Sequence, residues 1–318
     1  MKRTGYLHDN RYLLHDTGPY HPEVSDRLVA INKGIEDAGL LPHLQLITAQ
    51  AADLKWIEAV HDRRYIDRFG DMCQAGASQF DSADNQMCRD TYETALLAVG
   101  GLLEAARLMM TGEIDNAFCA VRPPGHHAEV DRAMGFCYFN NIAILARNLQ
   151  SEWHIDRVGI VDFDVHHGNG TQHIFEEDPS VFYYSIHEHP TFAFPGTGRE
   201  FETGKGAGEG FTKNSPMLPG QGDKEFRHLL ERDLLPAFES FQPQVILVSV
   251  GFDAHEDDDM SGIRLSTEAY SWTMEQIVAL AERYAGGRLI SVLEGGYCLR
   301  RLPELARNLV SILLNGHP

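Results

Sequence analysis

Short, unbroken runs of apolar and largely β-branched residues constrain this chain more than anything else in it. The runs are Ala117–Val121 (AFCAV), Val158–Phe163 (VGIVDF), Val181–Ser185 (VFYYS), Val245–Val250 (VILVSV) and Leu289–Leu293 (LISVL), with a weaker one at Thr4–Leu7. Each is too short for a helix of ordinary length, and none alternates apolar with polar as a half-solvated strand would. Between them lie segments of helical period, including Asp90–Met110, Asn140–Leu149, Lys224–Ser240 and Thr267–Tyr284. Continuous apolar strands separated by helices predict a buried parallel sheet with helices on both faces. The glycine-rich stretches Gly196–Gly210 and Gly251–Gly262 then become loops at the sheet ends. No repeat, low-complexity tract or linker divides the 318 residues, so one α/β domain spanning 1–318 is expected. A core of that size needs no disulfide or metal to fold.

In open α/β sheets ligands bind beyond the carboxyl ends of the strands. Four runs lead straight into polar residues there. Ala117–Val121 leads into Arg122-Pro-Pro-Gly-His126-His127, and Val158–Phe163 into Asp162-Phe-Asp164-Val-His166-His167-Gly-Asn169-Gly. Val245–Val250 leads into Gly251-Phe252-Asp253, and Leu289–Leu293 into Glu294-Gly-Gly-Tyr297. In an extended segment, side chains two apart share a side, so Asp164 and His166 can share one metal. A carboxylate oxygen and an imidazole nitrogen suit Zn²⁺ at about 2.0–2.2 Å, and Asp253 on another strand end is the natural third ligand. The ordinary alternative is a solvated polar turn.

His126 and His127 follow a stiff Pro-Pro-Gly turn. They can be ligands, or a general base and acid held by separate partners. Asp162, not needed as a ligand, can orient one imidazole, and Asn169 can hold the other without adding charge. Tyr297, after two glycines that permit a close backbone approach, can donate a hydrogen bond to a developing oxyanion.

The charge balance, 27 Lys+Arg against 46 Asp+Glu for a net −19, repels phosphate backbones and disfavours direct nucleic-acid binding. It suits solubility or the attraction of cationic substrates. Five cysteines, odd in number and without a Cys-x-x-Cys pair, argue against a disulfide framework or a zinc–thiolate cluster. The N-terminus MKRTGYLHDN carries no signal-like apolar run, and no stretch is long enough to span a bilayer. The expectation is a reduced, cytoplasmic protein without membrane attachment.

These motifs resemble a known family. Arg122–His127 (RPPGHH), Gly135–Asn140 (GFCYFN), Asp162–Gly170 (DFDVHHGNG), Phe194–Gly198 (FPGTG), Gly251–His255 (GFDAH) and Glu294–Tyr297 (EGGY) are similar to the zinc-dependent histone deacetylase and acetylpolyamine amidohydrolase family. The likeness is strongest to its class II branch, and His21-Pro22-Glu23 with Arg27 adds an early match. The resemblance runs from about residue 21 to residue 297, in family order. It implies the arginase–deacetylase α/β fold, with a central parallel sheet of about eight strands.

The resemblance also implies roles. Asp164, His166 and Asp253 would hold Zn²⁺, with Fe²⁺ or Co²⁺ also acceptable to that donor set. His127 would be the main general base, partnered by Asn169, and His126, paired with Asp162, its electrostatic partner and a proton shuttle. Tyr297 would polarise the scissile carbonyl. Gly135 would offer its carbonyl to the substrate amide, while Phe136 and Phe194 would wall a narrow tunnel. Relatives also bind K⁺, here implied at Ser185 and at the backbone carbonyls of Asp162, Asp164 and His166, with the Asp164 side chain. The reaction implied is removal of acetyl or other acyl groups from acyl-lysine in a peptide or protein.

Departures bear on the substrate. Many class II relatives have Pro-Leu where this chain has Asp259-Met260, and polyamine-specialised ones can carry a glutamate where Met260 falls. Met260 favours an apolar rim suited to acyl-lysine. The run Glu256–Asp259 points the other way, towards cations, unless it is simply a solvated loop. Phe80–Asp90 is expected to form a rim loop in which Asp84 can grip substrate, and it is shorter than the loop through which dedicated acetylpolyamine amidohydrolases dimerise. Homo-oligomerisation is left open. His255 is expected near the metal without ligating it, and His61, His154, His187 and His189 are given no role. Two other classes compete. A binuclear arginase-like site would call for ligands at Gly168 and His255, and Gly168 offers none; a silent acyl-lysine binder would need no base.

Overall fold

The computed structural model describes residues 1–316. Among the described residues ten strands form: β1 (Thr4–Leu7), β2 (Leu44–Ile47), β3 (Gln79–Phe80), β4 (Ser82–Gln86), β5 (Asn116–Cys119), β6 (Val158–Asp162), β7 (Val181–Glu188), β8 (Thr212–Met217), β9 (Val245–Val250) and β10 (Leu289–Leu293). Eight of them make one sheet, in the order β2-β1-β5-β10-β9-β6-β7-β8. Every pairing in it is parallel. The four strands expected to carry the chemistry, β5, β10, β9 and β6, are adjacent at its centre. Every residue of these four strands is buried, as their unbroken apolar runs require.

Helices cover both faces. Asp26–Asp37 and Thr267–Tyr284 both pack on Leu302–Asn315, and Thr91–Met110 packs on Asn141–Trp153. Two of these begin at side-chain caps. Asn140 Oδ1 accepts the Ala143 N–H at 3.1 Å, and Ser266 Oγ accepts that of Ala269 at 3.2 Å. The expected helix over Lys224–Ser240 forms as Asp223–Leu229 and Leu235–Phe241, joined by a wide π-type turn over Leu230–Leu234. Pro236 lacks the N–H that a regular turn needs, and widening the helix accommodates it.

Several boundaries differ from the sequence reading. The first motif strand covers Asn116–Cys119 and leaves Ala120-Val121 to the turn, whereas β7 runs three residues beyond Ser185. The edge strands β2 and β8 and the antiparallel hairpin β3–β4 were not expected. Among the described residues no helix is long and apolar enough to cross a membrane.

Candidate active site

Strand register brings the metal-type ligands together. β6 pairs with β9 so that Asp162 lies opposite Ser249, and the chains beyond these ends carry Asp164, His166 and Asp253. One donor atom from each of the three lies within 4.8 Å of the others, and all three residues are buried. Asp164 is fixed by the Gly295 N–H, which donates to its Oδ2 at 2.7 Å, and Asp253 by the Val165 N–H to its Oδ1 at 3.0 Å. His166 Nδ1 faces Asp164 Oδ1 at 3.1 Å and Asp253 Oδ2 at 3.2 Å. Asp253 Oδ2 is buried, with that imidazole nitrogen beside it but no well-aligned hydrogen bond. Such an orphaned carboxylate oxygen is costly unless a cation compensates it. Burial lowers the proton affinity of His166, but the two carboxylates reverse this and raise it to about 10. The field that draws a proton onto this nitrogen equally draws a metal ion. Two carboxylates and one imidazole converging in this way fit a divalent ion such as Zn²⁺.

The neighbouring turn supplies two dyads. His126 Nδ1–H donates to Asp162 Oδ2 at 3.0 Å, and the Tyr183 hydroxyl donates to the same oxygen at 3.0 Å. His127 Nδ1 meets Asn169 Oδ1 at 2.8 Å. The two imidazole rings lie 4.0 Å apart and cannot both carry charge cheaply. Burial disfavours the charged form of each, but His126, facing Asp162, Asp164 and Glu294, is raised to about 10. His127 has no such carboxylate partner, and burial with the charges of His126 and His166 holds it well below the ordinary histidine value. One imidazole is thus poised charged and the other neutral, the separation that an acid–base pair needs.

Glu294 ties these parts together. Its Oε2 accepts from Gly125 N at 2.7 Å and His126 N at 3.2 Å, and its Oε1 from Ser249 Oγ at 3.0 Å. Burial raises its carboxyl to about 7. The next residue, Gly295, passes so close to the ligands that an added Cβ would lie 2.1 Å from Asp253 Oδ2. Tyr297 follows under Arg27, whose guanidinium sits 4.9 Å from the ring centroid. Burial and the negative charge of Asp253 keep its phenol protonated.

A cavity of about 150 Å³ opens onto His126, His127, His166 and Tyr297. Phe136, Phe194, Met260 and Pro124 wall it, and Asp84 stands at its mouth. Gly135 and Phe136 both adopt positive φ, 52° and 68°. A side chain at 135 would strike the His127 ring, which lies 2.3 Å from the built Cβ position. The Phe136 backbone is held by Asn85 of β4, whose Oδ1 accepts its N–H at 2.9 Å, and His21 packs edge-on to its ring. Ser185 lies opposite Asp162 in the β6–β7 register, with its hydroxyl 2.8 Å from His187 Nδ1.

The acidic run differs from its sequence reading. Asp257 pairs with Arg300 at 3.0 Å and Arg301 at 2.6 Å, and Asp258 is buried against backbone N–H groups. Of the four, Glu256 and Asp259 are exposed, Asp257 is half-buried and Asp258 is buried. His255 turns to Thr267, 3.2 Å away, and takes no part in the ligand set. His61 bridges the Glu129 carbonyl and the Asn140 N–H, at 2.9 and 2.8 Å, and buttresses the turn after His127. Sequence reasoning missed Asn85, Glu129, Asp258 and the structural part of Glu294. Only Glu294 carried a visible signal, its place at the end of an apolar strand.

Comparison with known proteins agrees with this geometry. Residues 21–313 match the histone deacetylase domain model, and the chain belongs to the histone deacetylase family. It is therefore a hydrolase of the deacetylase or amidohydrolase class. A probable deacetylase of Archaeoglobus fulgidus is 37% identical over 92% of this chain and 81% of its own length. A histone deacetylase-like amidohydrolase of Pseudomonas aeruginosa is 35% identical over 95% of this chain and 83% of its own. The crystal structure of the HDA15 HD domain superposes with a TM-score of 0.94 at 36% identity, covering 99% of this chain and 89% of that one. The fold is the arginase–deacetylase fold.

Proposed function

We propose that this protein is a zinc-dependent deacylase of Nε-acyl-lysine, with residues 1–318 working as one catalytic domain. The observation that carries the reading is the convergence of Asp164, His166 and Asp253 beside the two dyads and Tyr297, at the foot of an apolar-walled cavity. When bound there, a divalent ion supplies Lewis acidity towards the carbonyl and lowers the pKa of water towards about 7. Neutral His127, with Nδ1 spent on Asn169, takes the proton of the attacking water at Nε2. The Tyr297 hydroxyl donates to the oxyanion as the carbon becomes tetrahedral. Charged His126 lowers the cost of a second positive charge leaving the site, and the imidazoles return a proton to the departing amine. Acetate and a free amine result. Phe136, Phe194 and Met260 enclose the aliphatic chain of the substrate, and the Gly135 carbonyl accepts from its amide. K⁺ at Ser185 and the carbonyls of Asp162, Asp164 and His166 belongs to this reading through family resemblance. So does a cytoplasmic location, through the cysteine pattern.

A mononuclear site is supported by Gly168, where a Cβ would come 2.3 Å from Asp162 Oδ2 and no further carboxylate fits. One observation favours acetylpolyamine instead: the exposed Asp84 at the cavity mouth can receive a distal ammonium. Turnover of an acetyl-lysine peptide and of N-acetylputrescine by the zinc-loaded protein separates the two. A strong peptide preference is expected. The reverse preference overturns the substrate assignment, and tight peptide binding without turnover overturns the enzymatic one.

A further inference from the structure

His127 can act as a base at Nε2 only if its proton sits on Nδ1. The residue facing Nδ1 is an asparagine, whose amide does not settle that question unaided. Its oxygen accepts and its nitrogen donates, and a half-turn exchanges the two. With Oδ1 towards His127, the imidazole must carry hydrogen on Nδ1. With Nδ2 there, the imidazole must present a lone pair at Nδ1 and carry its hydrogen on Nε2, where it cannot take a proton from water. An aspartate would need no such choice.

The orientation is set on the far side of the amide. Asn169 Nδ2 donates to Glu129 Oε1 and to the His127 backbone carbonyl, the latter at 3.2 Å. A carboxylate and a carbonyl only accept, so a turned amide would press Oδ1 against lone pairs on both. Glu129 is itself held from behind. The His173 ring faces both its oxygens, at 2.8 and 3.0 Å, and can donate Nδ1–H there. Asn169 and His173 stand four residues apart on the helix Asn169–Phe175, so Glu129 fills the gap between two side chains on one helical face. The backbone of Glu129 is fixed by His61, whose Nδ1 lies 2.9 Å from its carbonyl.

We propose that Glu129, clamped by His173, is a positioning residue that locks the Asn169 amide and thereby places the proton of His127 on Nδ1. It touches neither substrate nor ligand set and acts through Asn169. The catalytic consequence rests on the reading of His127 as the base.

The test is a double-mutant cycle in the zinc-loaded full chain, using whichever of the two substrates above is turned over. Glu129→Ala in the Asn169 background is expected to lower kcat about tenfold, part of the range that acid–base catalysis provides, with KM unchanged. In the Asn169→Asp background, where either carboxylate oxygen accepts from Nδ1–H, Glu129→Ala is expected to cause no comparable loss. His173→Ala, which leaves the Glu129 carboxylate in place but unclamped, should repeat the pattern more weakly and guards against misfolding of the first variant. Nitrogen-15 shifts of the His127 imidazole should report an Nδ1–H ring in the parent and a mixture in Glu129→Ala. Equal losses in both backgrounds, or an unchanged tautomer, overturn the proposal in favour of a purely structural contact. If His127→Ala keeps its activity, the base assignment fails, yet the tautomer measurement still judges the lock.

Discussion

The carboxylate of Asp258 accepts the backbone N–H of Tyr297 at 2.6 Å, and the same oxygen accepts that of Cys298 at 2.8 Å. Its other oxygen accepts the Met260 N–H at 3.1 Å. One buried side chain thus ties the turn that carries the phenol to the rim of the cavity. Asp258→Ala should let both move. A displacement of about 1 Å at a reacting group can cost 10²-fold, so kcat should fall by roughly 10–10²-fold. Zinc content per chain, measured by atomic emission, should stay at the parent value. Unaltered kcat would show that the turn holds its shape without this carboxylate.

Tyr297 itself is pinned by the Arg27 guanidinium over its face and by Phe136, edge-on with ring centroids 6.1 Å apart. Removing only the hydroxyl should therefore leave the ring in place. Tyr297→Phe is expected to lower kcat by about 10²–10³, the usual loss for one oxyanion donor. Melting temperature and zinc content should be unchanged, and near-parental turnover would remove Tyr297 from the reaction.

The centre of the fold was legible for a physical reason. β5, β6, β9 and β10 are buried on both faces, so their sequences are largely apolar and the polar residues that follow them stand out. The edges were not legible, because an edge strand is partly solvated. β2 reads LQLI with its two central residues exposed, and β8 reads TKNSPM with a lysine and a proline that an edge tolerates. The hairpin β3–β4 has no apolar alternation at all, and its place emerges from tertiary contacts such as Asn85 reaching the Phe136 N–H and the Tyr138 hydroxyl donating to the Gln86 carbonyl. The same division runs through the site. Asp164, His166, Asp253 and the dyads announce themselves as polar residues at strand ends. Asp258 is one of four consecutive acids, and nothing local distinguishes the one that is buried. Glu129 looks like any loop glutamate until the fold sets it between Asn169 and His173.

Substrate choice should respond at Met260. With Asp257 engaged by two arginines and Asp258 buried, the rim carries little free negative charge beyond Glu256, Asp259 and Asp84. Met260→Glu adds a carboxylate to the cavity wall itself. Its kcat/KM ratio for N-acetylputrescine over an acetyl-lysine peptide should rise about fivefold, the worth of roughly 1 kcal/mol from a partly exposed ion pair. A ratio that does not move would place the specificity determinant elsewhere on the rim.

Chelation should cost stability as well as activity. Without a metal ion, only the His166 imidazole stands between Asp164 and Asp253 in a buried site, and burial with the charge of Asp164 raises the Asp253 carboxyl to about 6. Zinc at 100 times its Kd should stabilise the fold by about 2.7 kcal/mol, seen as a rise of several degrees in Tm on adding it to chelated protein. Asp253→Asn should abolish both the rise and the turnover. A full thermal response in that variant would move the metal away from Asp253.

Glu23 should set the acid limit of the fold. It is fully buried, with Arg27 at 2.8 Å and Arg122 at 2.6 Å. Burial pushes its carboxyl up, but Arg122, His15 and Arg27 together outweigh this and hold it well below the usual carboxylate range. A group whose folded value is depressed adds stability above its unfolded value, near 4.5, and that contribution drains away as pH falls towards the folded value. The parent should therefore lose stability steeply as pH drops from about 5 to about 3, and Glu23→Gln should lose less over the same window. At neutral pH the variant should be weaker by about 3–5 kcal/mol, because two guanidinium groups are left buried without their counter-charge. Arg27 also donates to the carbonyls of Glu294 and Gly296, both at 2.6 Å, so kcat should fall with stability as the Tyr297 turn loosens. Urea unfolding at a series of pH values decides the matter, and parallel pH dependence in the two proteins would mean that Glu23 is not the residue linking acid to unfolding.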